Sequence, residues 1–347
     1  MSRKLLSYTA LGLILGNTAF ADVPKVAVDI APVHSLVSRV MEGVGTPELV
    51  IPAGASPHGY SLRPSEAKAL QDADMVIWMG EDLAPWMENS IETLSNNAEV
   101  ITLLEESGTK LLDFREGALF EEHDHGDHDD HDDHDDHDDH DKDHDDHDDH
   151  DKDHDDHDDH DDHDDHDDHD DHDEHAHGEH DPHAWLSIEN AQTWLNLVAG
   201  KLSAADPENA GVYFANAAEA RAEIDELVKE VNNILEPVRG RNFVVFHDAY
   251  QYFETSFDFP AAGAISLGDA SDPSAARIAE IQDRVKDEGI NCVLSEPQYN
   301  PNLVATVLSG TDAKTGVIDP LGASLEPGSN LYGDLIRNMA KSLAGCL

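Results

Sequence analysis

Short apolar runs recur along the chain and alternate with stretches whose apolar positions are spaced by three and four. The runs are KVAVDI (25–30), ELVIP (48–52), DMVIWMG (74–80), EVITLL (99–104), NFVVF (242–246), NCVLSE (291–296) and TGVIDP (315–320). Several lack a polar face, which fits parallel strands covered on both sides. Between runs, Pro64 opens PSEAKALQDA at a first helical turn, and Ile188, Ala191, Trp194, Leu195, Val198 and Leu202 mark one face of a later helix. The longest helical pattern starts with Asp206 as N-cap and Pro207 in the first turn. It continues through Ile224, Leu227, Val228, Val231 and Leu235 to Pro237. At 1.5 Å per residue such a helix spans roughly 45 Å, more than one small domain requires. It reads as a spine between two lobes, although two helices broken by a turn fit the same pattern. The expected fold is therefore α/β: two lobes of parallel sheet flanked by helices, joined by one long connecting helix. The lobes are expected at 22–205 and 238–347, with the helix at 206–237.

One segment breaks this rhythm. From His123 to His180 the chain holds 20 of its 24 histidines, mostly every third residue and separated by aspartate. The interval 121–181 carries 36 acidic residues and two lysines, a net of −34 out of −54 for the whole chain. What remains is an ordinary acidic protein. That balance argues against nucleic acid as a partner, because phosphates are neutralised by lysine and arginine. A spacing of three turns about 300° per step on a helix, so the imidazoles would share no face. With Ala176 as its one apolar residue, the tract is expected to be disordered. Each doubling of loop length costs only about 0.6 kcal/mol, so the insertion is cheap. Imidazole and carboxylate both bind divalent transition metals, and a flexible repeat of them implies metal collection with high capacity and little selectivity. A tight site needs preorganised ligands, which a disordered tract does not supply.

The first 21 residues have the form of an export signal: Arg3 and Lys4, an apolar stretch to Leu15, then Ala19-Phe20-Ala21, with cleavage expected after Ala21. The apolar stretch is well short of the roughly 20 residues that span a bilayer. In an oxidising compartment the two cysteines, Cys292 and Cys346, are most simply read as one disulfide. Closing a loop of that length contributes about 4 kcal/mol in the chain-entropy model.

Outside the tract stand His34, His58, His183 and His247. His34, in APVHSLVSRV, sits among apolar residues of a first helix and is expected to be structural. His58 follows the second strand, His247 ends NFVVF, and His183 precedes a helix whose cap could be Ser187. Asp319 ends TGVID. Open α/β sheets gather ligands just beyond the carboxyl ends of their strands. Three imidazoles and one carboxylate make a four-coordinate set suited to zinc, with Zn–N distances of roughly 2.0 to 2.1 Å, and too poor in oxygen for manganese or magnesium. Copper is bound well by the same donors.

The segments SPHGYSLRPSEAKALQDADMVIWMGEDL (56–83), DPHAWLSIENA (181–191), FHDAYQYF (246–253), NCVLSEPQYNP (291–301) and IDPLGA (318–323) resemble those of a known family. It is the ZnuA family, the periplasmic solute-binding components of bacterial zinc ABC importers. The resemblance implies two α/β lobes bridged by a long helix, Zn2+ held in the cleft between them, and delivery to a membrane permease by a monomer. Carried over by position, the ligand histidines fall on His58, His183 and His247; a histidine at the third place, where the manganese branch has a carboxylate, points to zinc. Some zinc members have a glutamate next to the first histidine, where Pro57 stands here. Asp319 is then the expected fourth ligand, with water as the alternative. The family's disulfide matches Cys292 and Cys346, and Glu296 reads as a supporting or structural residue.

No covalent chemistry is expected. The competing readings are a zinc hydrolase or hydratase, which would keep one position open for water, and a metal buffer whose main site is the tract. No H-E-x-x-H helix or nucleophile elbow accompanies the histidines.

Overall fold

The computed structural model describes residues 23–115, 180–266, 274–287, 289–299 and 301–347. The expected export signal and residues 116–179, most of the His/Asp tract, lie outside the described residues.

The first lobe contains β1 (Val26–Val28), α1 (Ala31–Val40), β2 (Glu48–Leu49), α2 (Pro64–Asp72), β3 (Met75–Trp78), α3 (Pro85–Leu94) and β4 (Glu99–Thr102). After the tract come α4 (Ile188–Ala205) and α5 (Ala210–Leu235). The second lobe follows with β5 (Phe243–His247), α6 (Gln251–Phe257), β6 (Gly263–Ser266), α7 (Ala275–Asp287), β7 (Cys292–Ser295), α8 (Pro301–Val307), β8 (Lys314–Val317) and α9 (Leu331–Cys346). Each lobe holds a four-stranded parallel sheet, in the orders β2-β1-β3-β4 and β6-β5-β7-β8. The two orders are the same pattern repeated. The central strands β1, β3 and β5 are buried along their whole length, which is why their sequences lack a polar face.

In sheets of this order the strand connections diverge between the two middle strands, opening a crevice at their carboxyl ends. In the first lobe Asp29 fills that place. Its carboxylate is fully buried and accepts from the Ile30 and Met79 amides at 2.7 Å each. Burial pushes the Asp29 carboxyl up to about 7, against the pull of those amides. In the second lobe the same place holds His247 and Glu296.

The long helix is one unbroken element of 26 residues, about 39 Å. It begins a turn later than its sequence suggests. Asp206 ends α4 instead, and its carboxylate accepts from Asn209 Nδ2 at 2.7 Å and the Tyr213 hydroxyl at 2.9 Å. α5 packs on α1 and α4 from the first lobe and on α9 from the second, and one apolar core runs through both lobes. His34 is buried on α1 and bonds the Pro47 carbonyl at 3.0 Å, a structural role.

Cys292 of β7 and Cys346 at the end of α9 form the disulfide, with Cα atoms 5.8 Å apart. β8 passes beside it at Gly316, where a Cβ would sit 2.8 Å from the Leu294 side chain and 3.2 Å from Cys346 Sγ. No helix among the described residues is long and apolar enough to cross a membrane.

Candidate metal centre

Each of the three histidines is brought to the cleft by a different local device. His58 lies in the loop from β2 to α2, and that loop is pinned on both sides of it. The Trp86 indole donates to the Pro57 carbonyl at 2.7 Å. The Tyr60 hydroxyl donates to Glu66 at 2.9 Å, and Glu66 also accepts the Arg63 amide at 2.7 Å at the start of α2. His183 sits in a short turn ahead of α4, whose first turn is capped by Ser187 accepting from the Asn190 amide. His247 is the last residue of β5, beside Glu296, which follows β7.

Two of the imidazoles are oriented by carboxylates. His183 Nδ1 lies 2.7 Å from Asp181 Oδ1, which also accepts the His183 amide at 2.9 Å. His247 Nδ1 lies 2.6 Å from Glu296 Oε1. All four residues are buried. A carboxylate only accepts, so each Nδ1 donates, and in the neutral imidazole that tautomer leaves Nε2 as the atom able to take a metal. Those two Nε2 atoms face each other at 3.4 Å. Two neutral imidazoles so placed repel unless a proton or a metal ion lies between them.

His58 completes the group: one ring nitrogen from each of His58, His183 and His247 lies within 4.8 Å of the others. The rings surround a small cavity of about 10 Å³ that is also lined by Trp185, Glu296, Gln298 and Tyr299, a space of ionic size. Trp185 is held by its indole donating to the Pro320 carbonyl at 2.9 Å, with its ring 5.2 Å from that of His183.

Asp319, expected as a fourth ligand, stands apart from this group among the described residues. Its Oδ1 accepts from the Leu321 and Gly322 amides at 3.1 and 2.9 Å, and its Oδ2 from the Ala323 amide at 2.6 Å. The carboxylate is folded onto its own loop. Glu296 has the supporting place expected of it, whereas the part of Asp181 was not read from the sequence. Its signal was the DPH triplet, which sets the aspartate two residues ahead of His183, where its Oδ1 bonds both the amide and the ring of that residue.

Fold and site together define a two-lobed α/β binding protein with an ion-sized pocket of histidines where the lobes meet. The family model described as "ZnuA: Zinc-uptake complex component A periplasmic" matches residues 26–346, and the chain belongs to that family. The high-affinity zinc uptake system protein ZnuA of Brucella abortus (strain 2308) is 46% identical over 332 residues, covering 96% of this chain and 94% of its own. The protein of the same name from Paracoccus denitrificans is 46% identical over 345 residues, covering 98% of both chains. Among solved structures, a crystal structure of ZnuA superposes with a TM-score of 0.68 at 19% identity, covering 94% of this chain and 99% of that one. A ZnuA deletion mutant with zinc bound gives 0.67 at 19% identity, covering 94% and 98%. Those two likenesses speak to the fold.

Proposed function

We propose that His58, His183 and His247 capture one zinc ion in the periplasm and that the protein hands it to a membrane permease. The observation that carries this reading is the 3.4 Å between the facing Nε2 atoms of His183 and His247. Ligands 2.0–2.1 Å from a tetrahedral zinc lie about 3.3–3.4 Å apart, so this pair already has the edge length the ion requires. Asp181 and Glu296 fix the tautomers and make both nitrogens better donors. Asp319 would have to give up three backbone hydrogen bonds to reach the ion. Its proposed part is to shape the loop that carries Pro320 to Trp185, which leaves the fourth position to a water.

A zinc that carries a water also occurs in hydrolases. The pocket of about 10 Å³ has no space for an ester or phosphoester beside the ion and its water, so turnover of such substrates is expected to be absent. We further propose export with cleavage after Ala21, action as a monomer, and zinc collection by the His/Asp tract.

Deleting residues 123–176, which keeps the Asp113–His180 bridge, tests the division of labour. One tight zinc site is expected to survive while several weak ones disappear, with Trp185 fluorescence following the tight event. Loss of the tight site along with the weak ones would make the tract the principal site and the protein a buffer. A finer check is Asp181→Asn, which removes the charge behind the His183 ring and is expected to weaken zinc binding about 10–100-fold in a chelator competition. An unchanged affinity would mean that Asp181 only shapes the turn.

A further inference from the structure

Gln298 lies three residues beyond β7, on the same wall of the cavity as Glu296. Both polar atoms of its side chain, Oε1 and Nε2, are buried without a hydrogen-bond partner. Folded proteins seldom leave a carboxamide in that condition, and the instances that persist commonly mark a place where a ligand or water is received. The amide offers one acceptor and two donors. It lines the cavity in which three imidazoles leave one tetrahedral vertex open, while Asp319 is engaged by its own loop. A water on zinc is polarised into a strong O–H donor, and a carboxamide oxygen is a fitting acceptor for it.

We infer that Gln298 is the positioning residue of the fourth coordination place: its Oε1 accepts a hydrogen bond from a zinc-bound water and so holds that water on the ion. This rests on the three-histidine reading above and adds to it the residue that secures the water in the fourth place. It also provides a release step without movement of a charged side chain, since a neutral water held by a neutral amide leaves more readily than a carboxylate would.

The test uses the full chain with half an equivalent of cobalt(II) or zinc, so that only the tightest site fills. With cobalt, the electron paramagnetic resonance lines of the wild type are expected to broaden in water enriched in oxygen-17. In Gln298→Leu, zinc is expected to dissociate into excess chelator about 10-fold faster, a shift of the size seen for other outer-shell partners. The metal-free Gln298→Leu protein is expected to melt no lower than the wild type, because the change removes a buried unpaired amide. A purely structural Gln298 would give the opposite pattern, a lower melting temperature with an unchanged release rate, and would overturn the inference. Absence of oxygen-17 broadening in the wild type would overturn it too. Absence of nitrogen hyperfine coupling from imidazole would instead bring down the three-histidine reading beneath it.

Discussion

Replacing His247 by alanine is expected to weaken zinc binding by about 10²- to 10³-fold. Zinc sites with four protein ligands have apparent binding energies of about 10–16 kcal/mol, so an equal share per ligand is about 2.5–4 kcal/mol. The loss should lie towards the upper end of that share here, because the deletion also removes the facing partner of His183 Nε2 and leaves Glu296, 4% exposed, beside an empty space. His183→Ala should behave alike through Asp181. His58→Ala should do less, since His58 is only half-buried and the remaining pair keeps the tetrahedral edge. Competition titrations of the three variants give this ranking directly. Equal and small effects in all three would mean that the tight site lies elsewhere.

The largest expected effect on stability belongs to a residue remote from the histidines in sequence. Arg115, just ahead of the tract, reaches the second lobe. Its Nε lies 3.0 Å from Asp248 Oδ2 and its Nη1 2.8 Å from Glu254 Oε2, and Nη2 also contacts Asp248 Oδ1. Asp248 and Glu254 are 6% exposed. Burial pushes both carboxyls above their usual range, and Arg115 draws them back. Arg115→Met removes the guanidinium that both carboxylates share and should cost about 3–5 kcal/mol at neutral pH. The sign with pH follows from the same shifts. Without Arg115 the folded-state values rise further above the unfolded values of about 3.9 and 4.3, so the variant loses stability as pH rises through them. The gap between variant and wild type should therefore narrow as pH falls from about 7 towards roughly 4.5. Denaturant unfolding of the metal-free proteins at both values decides it; a gap that is constant with pH would assign the effect to packing instead of charge. The same region holds the ends of the tract, where the Leu112 amide donates to the Tyr252 hydroxyl at 2.9 Å and that hydroxyl donates to the Asp181 carbonyl at 3.0 Å. A loosened Arg115 should thus be felt at the turn that carries His183.

The strands that were legible in the sequence were those with large apolar side chains. β6, Gly263–Ser266, was not among the runs, because Gly-Ala-Ile-Ser gives one large apolar residue in four. Pairing with β5 fixes it as a strand, and that is tertiary information. The long helix was legible through its period, whereas its first turn was not. A proline after an aspartate satisfies the capping pattern at Asp206, but the Asp206 carboxylate is taken by Asn209 and Tyr213. The three histidines stood out once the tract was set aside, because each falls at a strand end or a helix entry. What the sequence left dark is how carboxylates are aimed. Asp319 comes at the end of its run as expected, yet Asp-Pro-Leu-Gly is also a turn in which the carboxylate bonds the backbone ahead of it, and that local geometry decides its direction. The reach of Arg115 to Asp248 and Glu254, 133 and 139 residues away, has no local signature at all.

The central claim is that three imidazole nitrogens, drawn from three separate segments, hold one zinc where the lobes meet. A crystal structure of the zinc-loaded protein, with anomalous difference maps on either side of the zinc absorption edge, tests it most directly. One strong peak within about 2.0–2.1 Å of a ring nitrogen from each of His58, His183 and His247 is the predicted result. A peak bound by other residues, with the three rings left uncoordinated, would contradict it.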